Sequence, residues 1–115
     1  MYLYILKCAD NSLYTGIAAN IEKRIRQHLG IIKGGAKYTK SHKPISLEAL
    51  WLTENENAAR KLEAAIKKLP KSDKTRIISA HKLLFTDYFP ELAEFEFAYQ
   101  DTEKINNSIF KKISP

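Results

Sequence analysis

Two short runs of Tyr, Leu and Ile separated by polar turn formers open the chain, and apolar residues then recur at helical spacing. Tyr2 to Cys8 and Leu13 to Ile17 are rich in Tyr, Leu and Ile, and the turn formers Ala-Asp-Asn-Ser stand between them, which predicts a β-hairpin. Successive strand side chains point to opposite faces, so Tyr2, Tyr4 and Leu6 share one face and Leu3, Ile5 and Lys7 the other. Asn20 is placed to cap a helix whose buried stripe is Ile21, Ile25, Leu29 and Ile32. Arg24 and His28 lie one turn apart at the edge of that stripe. Hairpin and helix together direct two phenols (Tyr4 and Tyr14), one guanidinium and one imidazole toward a common groove.

Gly30 and the pair Gly34-Gly35 interrupt the periodicity, and a polar stretch from Ala36 to Pro44 follows. Ser46 to Leu52 reads as a third strand with two apolar faces, as expected of a strand covered on both sides. Thr53-Glu54-Asn55-Glu56 has the form of a capping box, opening a helix that Pro70 stops after Leu69. Ala59, Leu62, Ala65, Ile66 and Leu69 make its buried stripe, while Arg60, Lys61, Lys67 and Lys68 face outward. Glu63 sits at the edge of the stripe and, on the helix alone, reads as a surface partner of Lys67. Ser72 is placed to cap a further helix over Asp73 to Leu84, with Ile77, Ile78, His81, Leu84 and Phe85 on its apolar side. Phe95, Phe97 and Tyr99 alternate with polar or small residues and allow a short extra strand. The spacing of Ile105, Ile109 and Ile113 allows a last amphipathic helix.

At 115 residues the chain suits one domain, with no run near the ~18 apolar residues of a membrane span and no signal-peptide pattern at its start. Its single cysteine, Cys8, excludes an internal disulfide and makes a reducing, cytoplasmic setting the expectation. The net charge is +6 and the pI near 9.4, but the distribution is uneven. Residues 1–85 carry 16 Lys and Arg against 7 Asp and Glu, whereas residues 86–115 carry 3 against 6. The expected organisation is therefore a basic functional domain over 1–85 and an acidic, aromatic extension over 86–115 packed on it. Lys33, Lys37, Lys40 and Lys43 surround Tyr38 and His42. This segment reads either as a basic loop that grips phosphates while Tyr38 stacks or hydrogen-bonds, or as a solvated loop; His42 reads as exposed.

Taken together, Tyr2-Leu3-Tyr4, Tyr14-Thr15-Gly16, Arg24 and His28, Gly-Gly-Ala-Lys-Tyr-Thr, and the helix around Glu63 resemble the GIY-YIG nuclease superfamily, within it the small single-domain bacterial YhbQ-like group. The resemblance covers about residues 2 to 70. Tyr2 stands where the name-giving pattern has glycine and Thr15 where it has isoleucine, both outside the side chains expected to do chemistry. The resemblance implies an α/β (α+β) fold with a three-stranded antiparallel sheet flanked by helices in ββαβαα order. It also implies phosphodiester hydrolysis in DNA, RNA sharing the same bond, with one divalent ion, Mg²⁺ or Mn²⁺. Carried over by position, Glu63 is the metal ligand, Tyr4 positions or deprotonates the attacking water, and Arg24 stabilises the charged transition state. Tyr14 and His28 support the site, and Gly16 keeps the strand end open.

Elementary chemistry agrees with this picture. A hard ion takes oxygen ligands and often only one or two carboxylates from protein. A phenol is a poor base at neutral pH, so His28 competes with Tyr4 for that role. The leading expectation is a metal-dependent DNA endonuclease of repair or recombination, monomeric or homodimeric. Its rivals are a nucleic-acid-binding module that keeps the fold without catalysis, and an adaptor that uses the aromatic, acidic extension, which could also cover the basic groove.

Overall fold

The computed structural model describes residues 1–111, and no helix in it is long and apolar enough to cross a membrane. Strands β1 (Tyr2–Cys8) and β2 (Leu13–Ala18) form the expected hairpin, turning through Asn11 at positive φ. Helix α1 (Ile21–His28) follows, with the Asn20 side chain accepting from the Lys23 N–H. It stops a turn short of the expected stripe: Gly30 adopts a positive φ, and Ile31 and Ile32 are exposed. A short helix, α2 (Lys37–Ser41), lies in the stretch read as a basic loop. Strand β3 (Pro44–Leu52), helix α3 (Glu56–Lys67) and helix α4 (Lys71–Ser79) complete the core elements.

Two helix starts differ from expectation. Thr53 gives its hydroxyl proton to the Phe95 carbonyl, and Asn55 takes the cap instead, accepting from the Ala58 N–H at 2.9 Å. Glu56 is then the first helical residue and pairs with Arg60 rather than closing a box. Pro70, not Ser72, precedes α4, in keeping with the first-turn tolerance of backbone without an N–H partner. The helix expected to reach Leu84 ends at Ser79, and its apolar side continues into a π turn over Leu84–Tyr88.

The sheet has four strands in the order β2-β1-β3-β4, all antiparallel, rather than three. The addition is β4 (Ala98–Tyr99), which pairs with Trp51 and Leu52. A bulge in β3 at Glu48 makes Ile5 face Ala49 while Leu6 faces Leu47. The bulge puts Leu47 and Ala49 on opposite faces, so each face receives its own apolar set. Leu3, Ile5, Ala49 and Trp51 pack with Leu62, Ile66, Ile77, Leu84 and Leu92 on one side. Tyr4, Leu6, Leu47 and Leu50 pack with Ile21, Ile25, Ile105, Ile109 and Phe110 on the other.

The segment after α4 contributes to both clusters. Helix α5 (Glu103–Ile105) and a π turn over Asn106–Phe110 form most of the expected last helix, and Ile113 lies outside the described residues. The Asn106 amide accepts from the Leu47 N–H at 2.7 Å and donates to the Leu47 carbonyl at 2.9 Å, satisfying strand-edge groups beyond the reach of β4. Among the described residues no ion pair joins an acid of this segment to Lys33, Lys37, Lys40 or Lys43. Apolar packing and hydrogen bonds to Leu47, Leu50 and Thr53 attach it.

Candidate active site

Tyr4 lies opposite Gly16 in the β1–β2 register, two pairs along from Leu6 and Tyr14 and so on the same face. A Cβ at Gly16 would stand 2.5 Å from the Tyr4 hydroxyl, so only glycine leaves room for the phenol there. The Tyr4 ring is buried, and its hydroxyl meets His28 Nε2 at 2.6 Å. The other ring nitrogen, Nδ1, lies 2.9 Å from Thr39 Oγ1 on α2. Thr39 donates its one hydroxyl proton to the Ala36 carbonyl at 3.0 Å. It therefore presents a lone pair to His28, which fixes the tautomer: Nδ1 carries the proton and donates, and Nε2 accepts from Tyr4. Thr39 closes the Gly-Gly-Ala-Lys-Tyr-Thr segment of the family resemblance, but the sequence assigned it no role, because its partner His28 lies on a different element 11 residues away.

Burial, seconded by the nearby charge of Arg24, lowers the His28 pKa to about 4, and burial raises that of the Tyr4 phenol above its usual range. At neutral pH the pair is thus uncharged, with a phenol donating to an imidazole. The unfolded chain binds the His28 proton near pH 6.5 and the folded chain only near pH 4, so the stability this contributes is complete above pH 6.5 and is lost as pH falls toward 4. After allowance for solvent screening the loss amounts to about 2 kcal/mol. Urea unfolding at pH 7 and at pH 4.5 measures it, and His28→Gln should flatten the difference.

Arg24, one turn before His28, is held by two bonds from Nη1, to Gln27 Oε1 at 2.9 Å and to the Gly34 carbonyl at 2.7 Å. Gly34 has φ +112, a conformation that side chains rarely tolerate, and it is this turn that aims the carbonyl at the guanidinium. Arg24 also lowers the Tyr4 pKa against the effect of burial, which places its charge beside the phenol. Tyr14 stands edge-on to the His28 ring at 5.0 Å and stacks on Tyr38 at 5.6 Å.

Glu63 reaches the same place from the opposite side of β2. Its charge is felt by Tyr4, and its carboxylate lies 3.6 Å from Lys67 Nζ, which itself sits over the Tyr14 ring. The surface pairing with Lys67 is therefore real, but it lies at the edge of the site rather than in open solvent, and Lys67 becomes a neighbour of the site that its outward position on the helix did not suggest. Lys33, Lys40 and Lys43 line a cavity of about 760 Å³ that shares His28 and Thr39 as a wall. Lys37 and Tyr38 are on α2, and His42 is not simply exposed: it stacks on Tyr38 at 4.1 Å and bonds to Asp10.

A family model described as the GIY-YIG catalytic domain matches residues 1–76, and all of these groups fall within the match. The chain belongs to the GIY-YIG family. It is similar to the UPF0213 protein of Fusobacterium nucleatum, 47% identical over 78 residues that make up 68% of this chain and 76% of that one. The UPF0213 protein of Clostridium perfringens is 42% identical over 91 residues, 79% of this chain and 96% of its own. A solution NMR structure of the UPF0213 protein of Bacillus halodurans is 37% identical, covers 68% of this chain and 81% of that one, and has a TM-score of 0.45. GIY-YIG membership makes the chain a member of a nuclease-type family, and the two name-giving segments are the adjacent strands β1 and β2 that hold Tyr4, Tyr14 and Gly16.

A GIY-YIG site of this kind has to be tested against the divalent ion the family implies. Among the described residues no group of three or more His, Cys, Asp or Glu side chains could cage an ion. Glu63 alone, three-quarters covered on a rigid helix beside Tyr4, fits a hard cation that keeps water and takes its remaining oxygens from a phosphate. The donor set fits an ion brought into the site with substrate, not a preformed protein cage.

Proposed function

We propose that this GIY-YIG protein is a divalent-metal-dependent endonuclease that hydrolyses phosphodiester bonds in DNA. The observation that supports this most is the hydrogen-bonded chain Tyr4–His28–Thr39, uncharged and of defined direction, set between the Arg24 guanidinium and the Glu63 carboxylate. Its direction bears on which group is the base. Tyr4 is too weak an acid to rest as a phenolate, and His28 is screened from the solvent. As a pair they relay a proton: the attacking water gives a proton to the Tyr4 oxygen while Tyr4 passes its own to His28 Nε2, and the cost of charging an imidazole that burial holds near pKa 4 is offset by the negative charge the same step brings onto the phosphate. Thr39 holds the ring so that Nε2 is the empty nitrogen when the step begins.

Arg24 faces the charge that develops on the phosphoryl oxygens, and its two anchors, the Gln27 side-chain oxygen and the Gly34 carbonyl, mean that little reorganisation is needed as that charge appears. Glu63 would hold the divalent ion, which when bound supplies further stabilisation of that charge and of the leaving oxygen. Lys33, Lys40 and Lys43 would take the flanking phosphates along the cavity wall that includes His28, with Lys37 on the same helix as Thr39. A role in DNA repair or recombination is the setting such an activity suits.

The test is cleavage of plasmid and branched DNA by the purified protein with Mg²⁺ or Mn²⁺ and with EDTA. Cutting that requires the metal is the expected result. Salt-dependent DNA binding without any metal-dependent cutting would overturn the enzyme reading in favour of a binding module. The pairing of Lys67 with the Glu63 carboxylate is the one observation that favours that second reading.

A further inference from the structure

The role just given to His28 needs its ring held, and the element that holds it is poorly equipped to hold itself. Helix α2 has five residues, its start has no side-chain cap, and two glycines precede it. Helices of this length have no stability of their own. Besides the Thr39 bond to His28 and the Tyr38 stack on Tyr14, the β1–β2 turn fixes the C-terminal end of α2. Asp10 divides its two oxygens: Oδ1 accepts from the Ser12 N–H and hydroxyl at 3.1 and 2.6 Å, and Oδ2 bonds His42 Nδ1 at 2.5 Å. His42 follows directly on α2, its N–H donates to the Tyr38 carbonyl, and its ring lies nearly parallel to that of Tyr38. One residue further on, the Lys43 carbonyl accepts from the Ala9 N–H at 2.8 Å.

We propose that Asp10 is a positioning residue for His28: through His42 it pins α2 to the β1–β2 turn, and α2 in turn sets the His28 ring through Thr39. The role attributed to the His28 ring rests on the proposed nuclease reading; the pinning itself does not. A partly exposed carboxylate–imidazole contact ordinarily contributes little, because two mobile side chains must be ordered to form it. Here both are ordered beforehand, Asp10 by Ser12 and His42 by the stack on Tyr38, so the pair transmits position rather than merely meeting. The depressed Asp10 pKa, caused first by Ser12 and then by His42, is consistent with a carboxylate held on both oxygens. Lys37 and Lys40 ride on the same helix, so the pin also sets where the phosphate-facing lysines begin.

Asp10→Asn separates the turn from the pin, since asparagine still accepts from Ser12 but loses the charge toward His42. The decisive measurement is ¹H–¹⁵N NMR of the His28 ring in the full, metal-free chain, for wild type, Asp10→Asn, His42→Ala and the double variant. Wild type should show a neutral ring protonated at Nδ1. Asp10→Asn should show mixed or exchange-broadened tautomers and faster amide exchange in α2, with Ser12 shifts and the melting temperature unchanged. The double variant should be no worse than either single one, because both cut the same link. In metal-dependent cleavage, kcat should fall about tenfold with a smaller change in KM, as expected for loss of one charge-assisted bond. A His28 ring and α2 exchange identical to wild type in Asp10→Asn would overturn the proposal. A wild type that never cuts DNA would sink the nuclease reading and leave the pin to be decided by NMR alone.

Discussion

Glu63→Gln is expected to lower metal-dependent cleavage by about a thousandfold or more, the scale of removing a group that stabilises transition-state charge, while DNA affinity is unchanged or slightly tighter. Glutamine keeps the shape of the side chain but not its charge, and a hard cation loses the only carboxylate that reaches Tyr4 from α3. Folding should be nearly unaffected, since the bond lost is a helix-surface pair with Lys67 worth a few tenths of a kcal/mol. Nicking rates at saturating DNA, with Mg²⁺ binding followed by calorimetry, check both halves. A variant that cuts at the wild-type rate would remove Glu63 from the site and, with it, the proposed metal anchor.

Tyr4→Phe is expected to lose about 10²- to 10⁴-fold in kcat, the range for a positioned proton-transfer group. It should also lose about 1–3 kcal/mol of stability, because the buried His28 Nε2 is left without its donor. The two losses are separable: urea unfolding measures the second, and at most this much destabilisation still leaves the chain folded at 25 °C. A variant that keeps kcat within tenfold of wild type would mean that the Tyr4 hydroxyl only packs and that His28 meets the water directly. The outcome therefore decides between the two bases that the sequence left open.

How much of this site was visible beforehand differs residue by residue. Tyr4, Tyr14, Arg24 and His28 were singled out because strand alternation and helical spacing act over a few residues, and the hairpin and α1 formed as those periods require. Glu63 was reached only through the family resemblance; on its own helix it looked like a partner of Lys67, and it is one. Gln27 and Asp10 carried no assigned role, Thr39 entered only within the Gly-Gly-Ala-Lys-Tyr-Thr segment of the resemblance, and His42 read as exposed. Each acts through a bond to a group on another turn or element, and nothing in a polar loop residue's own neighbourhood announces such a bond. The capping box at Thr53 did not form because the helix starts two residues later: Thr53 Oγ1 accepts from the Asn55 N–H and donates to the Phe95 carbonyl 42 residues away, and Asn55 is the cap.

What the sequence by itself determined is what local sterics and periodicity can carry: the hairpin, the Asn20 cap, the two apolar faces of β3, the stripe of α3 and the uneven charge along the chain. What only the tertiary structure decided is everything that depends on two distant segments meeting. The Glu48 bulge, the fourth strand, the direction of the Tyr4–His28–Thr39 chain and the carbonyl that holds Arg24 are of this kind. The physical reason is burial. A hydrogen bond away from water must find its partner inside the fold. Which partner it finds is set by packing across the sheet and not by the neighbours along the chain.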